Sequence, residues 1–243
     1  MTLWRFDALP PPGPTAPWDW LPAAAGAFHE ALVGGQPPYP CDFGVRAQRL
    51  GHNRVTALDA RDAAGIGALA GTLREFAGLA AGGPPRQSLV VFCGPPQGAA
   101  ALVADRRRFW SVLEGLSELD GTGWPASVPD DPADPRWQWS FAGEPWFVFA
   151  LSPAYVARRS RAIATCLTLV FQTGRVFTGL GGSTAAGRRA KRRIRAALAG
   201  YDAVPAHPHL GDAEHSSSAK WRQYLLPDDQ SLYPPDTCPF RSR

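Results

Sequence analysis

The chain has 243 residues, 45% of them hydrophobic and 11% aromatic, and 25 lysines and arginines against 21 acids give a formal net charge of +4. This length suits one large domain that buries roughly 70–75% of its unfolded surface, and the small charge excess reads as solubility rather than as a nucleic-acid footprint. No uncharged apolar run reaches the roughly 18 residues of a membrane span, and MTLWRFDALPPPGP lacks the charged start and apolar run of a signal peptide, so a cytoplasmic protein with reduced thiols is expected.

Residues 1–22 are rich in proline and read as an extended arm, with Trp18 and Trp20 able to pin it; residues 23–243 read as one domain. A helix is expected over Ala23–Val33, ended by Gly34 and Gly35. The proline-marked loop GQPPYP then leads into Cys41, and Asn53–Leu58 reads as a strand. From Asp62 to Ala80, Ile66, Leu69, Leu73, Phe76 and Ala80 share one helical face. SLVVFC, Ser88–Cys93, is a buried strand, and a second long helix is expected over Gly98–Leu119. The proline- and aspartate-rich segment Trp124–Arg136 is a loop of a length that is often functional.

Trp137–Phe177 is the most informative stretch. Its run Trp146-Phe147-Val148-Phe149 suits a buried strand. Ser152-Pro153 signals a helix start, which predicts a short helix to Ser160 carrying Arg158 and Arg159. Cys166–Phe171 is a further buried strand, followed by the turn GLGGST and a basic helix over Ala185–Ala199. The tail is mostly loop, with an amphipathic piece at Lys220–Leu226. Helices alternating with buried strands predict an α+β (mixed α/β) fold, a single domain with a central sheet flanked by helices.

Several signals are weak. GLGGST lacks both the GxGxxG spacing and the Lys-Ser of a phosphate loop, so it reads as a flexible turn. His207, His209 and Asp212 in HPHLGD offer two histidines that ligate one metal only in extended geometry. The cysteines Cys41, Cys93, Cys166 and Cys238 include no CxxC pair. Cys93 and Cys166 read as small buried hydrophobes. Cys41 differs, because it follows two prolines and a tyrosine in a rigid loop where a thiolate is available as a nucleophile or an axial metal ligand. Arg158, Arg159 and Arg161 lie between two buried strands. They suit either a salt bridge to Glu144 or Asp134, or forked binding of a carboxylate.

In chain order, YPCDFGVRAQ (39–48), SLVVFC (88–93), FWSVLEGLSELD (109–120), the segment 124–161 with its GEP-F-V-F strand and arginine pair, LTLVFQTGRVF (167–177), YDAVPAHPHLGD (201–212), KWRQYLLPDD (220–229) and CPF (238–240) resemble the YqcI/YcgG-like family of bacterial proteins. One departure is Gln172-Thr173-Gly174-Arg175, where a Gln-Pro-Arg-like turn is expected. The resemblance implies a haem-dependent monooxygenase (haem b) that N-hydroxylates an amino-acid or guanidino substrate in small-molecule biosynthesis. It implies dioxygen or hydrogen peroxide as the oxidant and room for a redox partner. A haem-binding protein without turnover is the alternative. The resemblance gives Cys41 the axial-ligand role, with His207 or His209 as the rival. It assigns Arg158, Arg159 and Arg161 to haem propionates or a substrate carboxylate, Glu144 to the substrate nitrogen, and Trp146 and Phe147 to the pocket wall.

Overall fold

A computed structural model of the chain describes residues 3–11, 18–58, 63–94, 100–181, 184–210, 219–234 and 237–240. Parts of the expected arm, the first residue of the 62–80 helix, the expected helix start at Gly98, Gly182-Ser183 and Asp212 lie outside these residues.

The sheet has six strands: β1 (Trp4–Arg5), β2 (Arg54–Leu58), β3 (Leu89–Cys93), β4 (Ser140–Phe141), β5 (Glu144–Leu151) and β6 (Thr168–Thr173), in the order β1-β2-β3-β6-β5-β4. Among the described residues five helices accompany it: α1 (Leu21–Val33), α2 (Asp42–Arg49), α3 (Ala63–Gly82), α4 (Leu102–Glu118) and α5 (Ala185–Tyr201). The architecture is therefore mixed α/β. β2 and β3 run parallel, joined through α3, while β6 is antiparallel to both β3 and β5.

Side chains alternate along a strand, so the central strands feed two cores. Leu89, Val91 and Cys93 of β3, with Trp146, Val148 and Ala150 of β5, face α3 and α4. Val90 and Phe92 of β3, with Phe149 and Leu151 of β5, face α1 and the α2 side. This is why β3 is apolar at every position: both of its faces are covered. β4 and β5 meet in a tight hairpin, Phe141 opposite Glu144, whose two turn residues Ala142 and Gly143 have φ of 53° and 75°. Both signs match the mirror-image turn that follows strand twist.

One expected element is absent. Ser152–Ser160 is not a helix; only a one-turn 3₁₀ helix, Arg159–Arg161, forms there. The Ser152 hydroxyl donates to the Asp105 carboxylate of α4 and accepts from the Ala154 amide at 3.0 Å. The amides of Val156, Ala157 and Arg158 then donate to the Asp228 carboxylate at 2.9, 3.0 and 2.8 Å. A carboxylate from the distant tail thus takes the donors a helix would use. Conversely, α2 was not anticipated: Cys41 ends the proline loop and begins a helix as its N-cap residue. Among the described residues, no helix is long and apolar enough to cross a membrane.

Candidate active site

Between the α1/α2 side of the sheet and α5 lies a cavity of about 360 Å³, within the ordinary range of small-molecule sites. Phe28 and Leu32 of α1, Phe147 and Phe149 of β5, Val170 of β6 and Leu198 of α5 supply apolar wall. The charged and titratable groups on the described lining are the Cys41 thiol, Tyr39, the cations Arg86, Arg158, Arg161 and Lys191, and the carboxylate Asp202, beside neutral amides and hydroxyls such as Asn53, Gln87 and Ser160.

Cys41 reaches the wall because α2 starts there. Its backbone is extended, and its thiol makes no cap hydrogen bond to the first turn of the helix. Burial raises the thiol pKa, while the Gly44 and Phe43 amides and the Arg193 cation pull it down. A cysteine at a helix N-terminus is a site where a thiolate is favoured once something neutralises it. Gly44 leaves the sulfur uncrowded, since even a Cβ there would stand 3.8 Å from Sγ.

The three arginines separate. Arg158 is 1% exposed and its guanidinium donates to the carbonyls of Pro227 (2.6 Å), Pro205 (3.1 Å) and Asp229 (2.5 Å). It braces the tail against the cavity. Arg159 is exposed, over the Tyr201 ring at 5.1 Å, and does not line the cavity. Arg161 lines it, with only long contacts to Ala150 O (3.3 Å) and Gln223 O (3.4 Å) and a stacking contact on Phe149. None of the described ion pairs joins these arginines to Glu144 or Asp134; Asp134 pairs instead with Arg136.

Glu144 and Trp146 do not join the pocket. They share the opposite sheet face, where Trp146 is buried against Phe76 and Phe171 and Glu144 is exposed beside the hairpin. Phe147, one residue on, points into the cavity. The expectation that two adjacent strand residues wall one pocket fails on the two-residue period.

His207 and His209 are buried outside the cavity lining. The His209 amide donates to His207 Nδ1, so His207 Nε2 carries the proton and donates to Ser231 O at 3.0 Å. His209 Nε2 accepts from the Tyr233 amide at 3.1 Å and its ring stacks on Tyr233. Both are neutral structural groups: burial lowers the His207 pKa, and burial followed by the neighbouring His207 pushes His209 down to about 4. The unfolded chain protonates His209 near pH 6.5, so the folded state loses stability as pH falls from about 6.5 toward about 4, and this group contributes nothing further below that. In melting curves across that window, His209→Gln is expected to show a shallower fall in Tm than the parent chain. Equal slopes would remove this role. Among the described residues, no three His, Cys, Asp or Glu side chains converge as a metal site.

Sequence reasoning missed Asp202, Arg86 and Lys191. Asp202 follows α5 and receives the Ser160 amide at 2.7 Å and the Ser160 hydroxyl at 2.8 Å, one on each oxygen. Arg86 stacks on Phe43 at 4.9 Å, and its buried Nε has no acceptor. No local pattern marks either residue; only the chain's long-range closure brings them to the cavity.

The sequence pattern of the YqcI/YcgG family matches residues 28–241. The chain is 34% identical to YcgG of Bacillus subtilis (strain 168), over 91% of this chain and 88% of that protein. It is 40% identical to YqcI of the same organism over 54% of this chain and 51% of the relative. A Streptomyces lavendulae protein named as an N(omega)-hydroxy-L-arginine synthase, DcsA, is 34% identical over 55% of this chain and 50% of its own. No solved structure matches.

Proposed function

The chain belongs to the YqcI/YcgG family, and on that premise we propose that it is a haem-dependent oxygenase that N-hydroxylates an amino-acid or guanidino substrate. The observation that carries the reading is the cavity itself, which holds a thiol at a helix N-terminus, flat aromatic walls, and cations beside one carboxylate. The relative named for N(omega)-hydroxy-L-arginine adds the substrate class.

The residues present fit a haem. A haem needs one strong axial donor, apolar surfaces for its faces and cations for its propionates. Cys41 is free of any disulfide and lies on the wall. Phe147 and Phe149 are aromatic surface, and Arg86 carries a buried donor without an acceptor. When bound, a thiolate-ligated haem supplies the activated oxygen that breaks an N–H bond. Cys41 would hold it, losing its proton on ligation. Arg86 and Lys191 would neutralise the propionates.

Substrate placement falls to two groups. Arg161, without a carboxylate partner among the described ion pairs, would take the substrate carboxylate by a forked contact. Asp202, each oxygen already fixed by Ser160, would accept from the guanidinium or ammonium and orient the nitrogen to be oxidised. The apolar walls exclude water around that nitrogen.

The test is the haem-supplemented protein incubated with arginine and with other amino acids under reducing, aerobic conditions. A product one oxygen heavier is expected by mass spectrometry. Asp202→Asn is expected to raise KM for a cationic substrate roughly 10- to 100-fold, the cost of removing one charge-assisted contact. No Soret absorption after supplementation, or no oxygenated product from any amino acid, would overturn the reading.

A further inference from the structure

We infer that the outer face of α5, with the turn after Cys41, is the docking surface for an acidic one-electron carrier protein. The inference rests on the proposed N-hydroxylation. Hydroxylating N–H with dioxygen places one oxygen atom in the product and releases the other as water. It consumes two electrons and two protons that the substrate does not supply. The electrons must enter from a reductant, here an iron–sulfur or flavin protein oxidised by one electron at each encounter.

The charge on α5 is lopsided. Residues 185–201 hold Arg188, Arg189, Lys191, Arg192, Arg193 and Arg195 and no acid. Arg188/Arg192, Arg189/Arg193 and Lys191/Arg195 are like-charged pairs one turn apart, an arrangement that costs an isolated helix stability. The exposed residues of the helix are Arg189, Arg192 and Arg193 among alanines and one glycine. Such a surface offers charge without bulk, which favours a complementary negative partner.

The position of this charge ties it to the cavity. The inner face of the same helix, at Gly187, Ala190, Ile194 and Leu198, is cavity wall. Anything seated on the outer face therefore stands about one helix diameter, roughly 10–12 Å, from the site. Arg193 and Arg86 tie this basic face to the turn that bears Cys41. Arg193 pairs with Asp42 at 2.7 Å, and the guanidinium groups of Arg193 and Arg86 lie 5.6 and 4.9 Å from the ring centre of Phe43. Phe43 is two residues from the thiol. A carrier on this face is separated from the cavity by α5 alone and touches the turn next to Cys41. A nucleic acid would use the charge but gain nothing from the cavity behind it.

The experiment titrates the holoprotein with an acidic two-iron ferredoxin by calorimetry and follows its reduction in the stopped flow. Arg189→Glu/Arg192→Glu is expected to weaken ferredoxin binding at least about tenfold and to slow reduction in parallel. Raising salt from about 50 to about 300 mM should weaken the parent complex similarly. The variant relieves self-repulsion, so its Tm should hold or rise, and product formation driven by hydrogen peroxide, which needs no carrier, should be unchanged. Binding that is absent, or equal in parent and variant, overturns the inference. So does a short DNA duplex that competes the ferredoxin away at lower concentration. If ferredoxin binds through this face yet the protein shows no haem absorption, the docking surface stands and the haem reading falls.

Discussion

Cys41→Ala is expected to lose at least about 100-fold in product formation, and to lose or blue-shift the carbon monoxide band of the reduced protein. The loss should come with little change in folding. Cys41 is the N-cap of α2 but makes no side-chain cap bond, so its removal costs the helix less than about 1 kcal/mol. That combination, chemistry lost and Tm kept, separates a ligand from a packing residue. Cys93 and Cys166 serve as controls. Their thiol pKa values are pushed up by burial, to about 12 and about 11, and Cys93→Ala is expected to leave the spectrum unchanged while lowering Tm. Because burial also raises the Cys41 pKa, ligation releases a proton and haem uptake should strengthen with rising pH. Cys41→Ala with full haem uptake and an unaltered spectrum would end the assignment.

Arg158→Met should destabilise the fold by about 3–5 kcal/mol, because it strips the partner from three inward carbonyls at once. In a chain of this size that corresponds to a Tm drop on the order of 10 °C. The neighbouring Arg159→Met, exposed and outside every described ion pair, is expected to stay within about 0.5 kcal/mol. Arg158→Lys should recover little, since an ammonium cannot span Pro205, Pro227 and Asp229 as the planar fork does. Equal effects for Arg158 and Arg159 in thermal denaturation would show that the brace is not what the contacts imply. Residual activity in Arg158→Met should track the folded fraction, marking it as a structural brace.

Much of the fold was legible in the order of residues. Periodicity located α1, α3, α4 and α5 within a few residues, and unbroken apolar runs located β3, β5 and β6. These signals are local, because a helix or strand must present its apolar face at its own repeat. The motif order also carried the family.

What failed was whatever depended on distant partners. Ser152-Pro153 carries a sound helix-start signal, yet Asp228 and Asp105 take the donors that would begin the helix. Arg158, Arg159 and Arg161 are indistinguishable as a sequence cluster. Packing made the first a brace, the second a surface group and the third a cavity cation. Glu144 and Trp146 sat beside Phe147 in the chain but on the wrong face of the sheet. His207 and His209 had metal-like spacing, but the neighbouring backbone claimed the ring nitrogens that would bind a metal. Asp202 and Arg86, on the cavity wall, had no local signature at all. The sequence by itself determined most of the elements and the family; only tertiary closure decided which polar groups share a cavity. A side chain's chemistry depends on which donors and acceptors reach it, and for Arg158 and Asp202 those partners lie from 42 to 71 residues away along the chain.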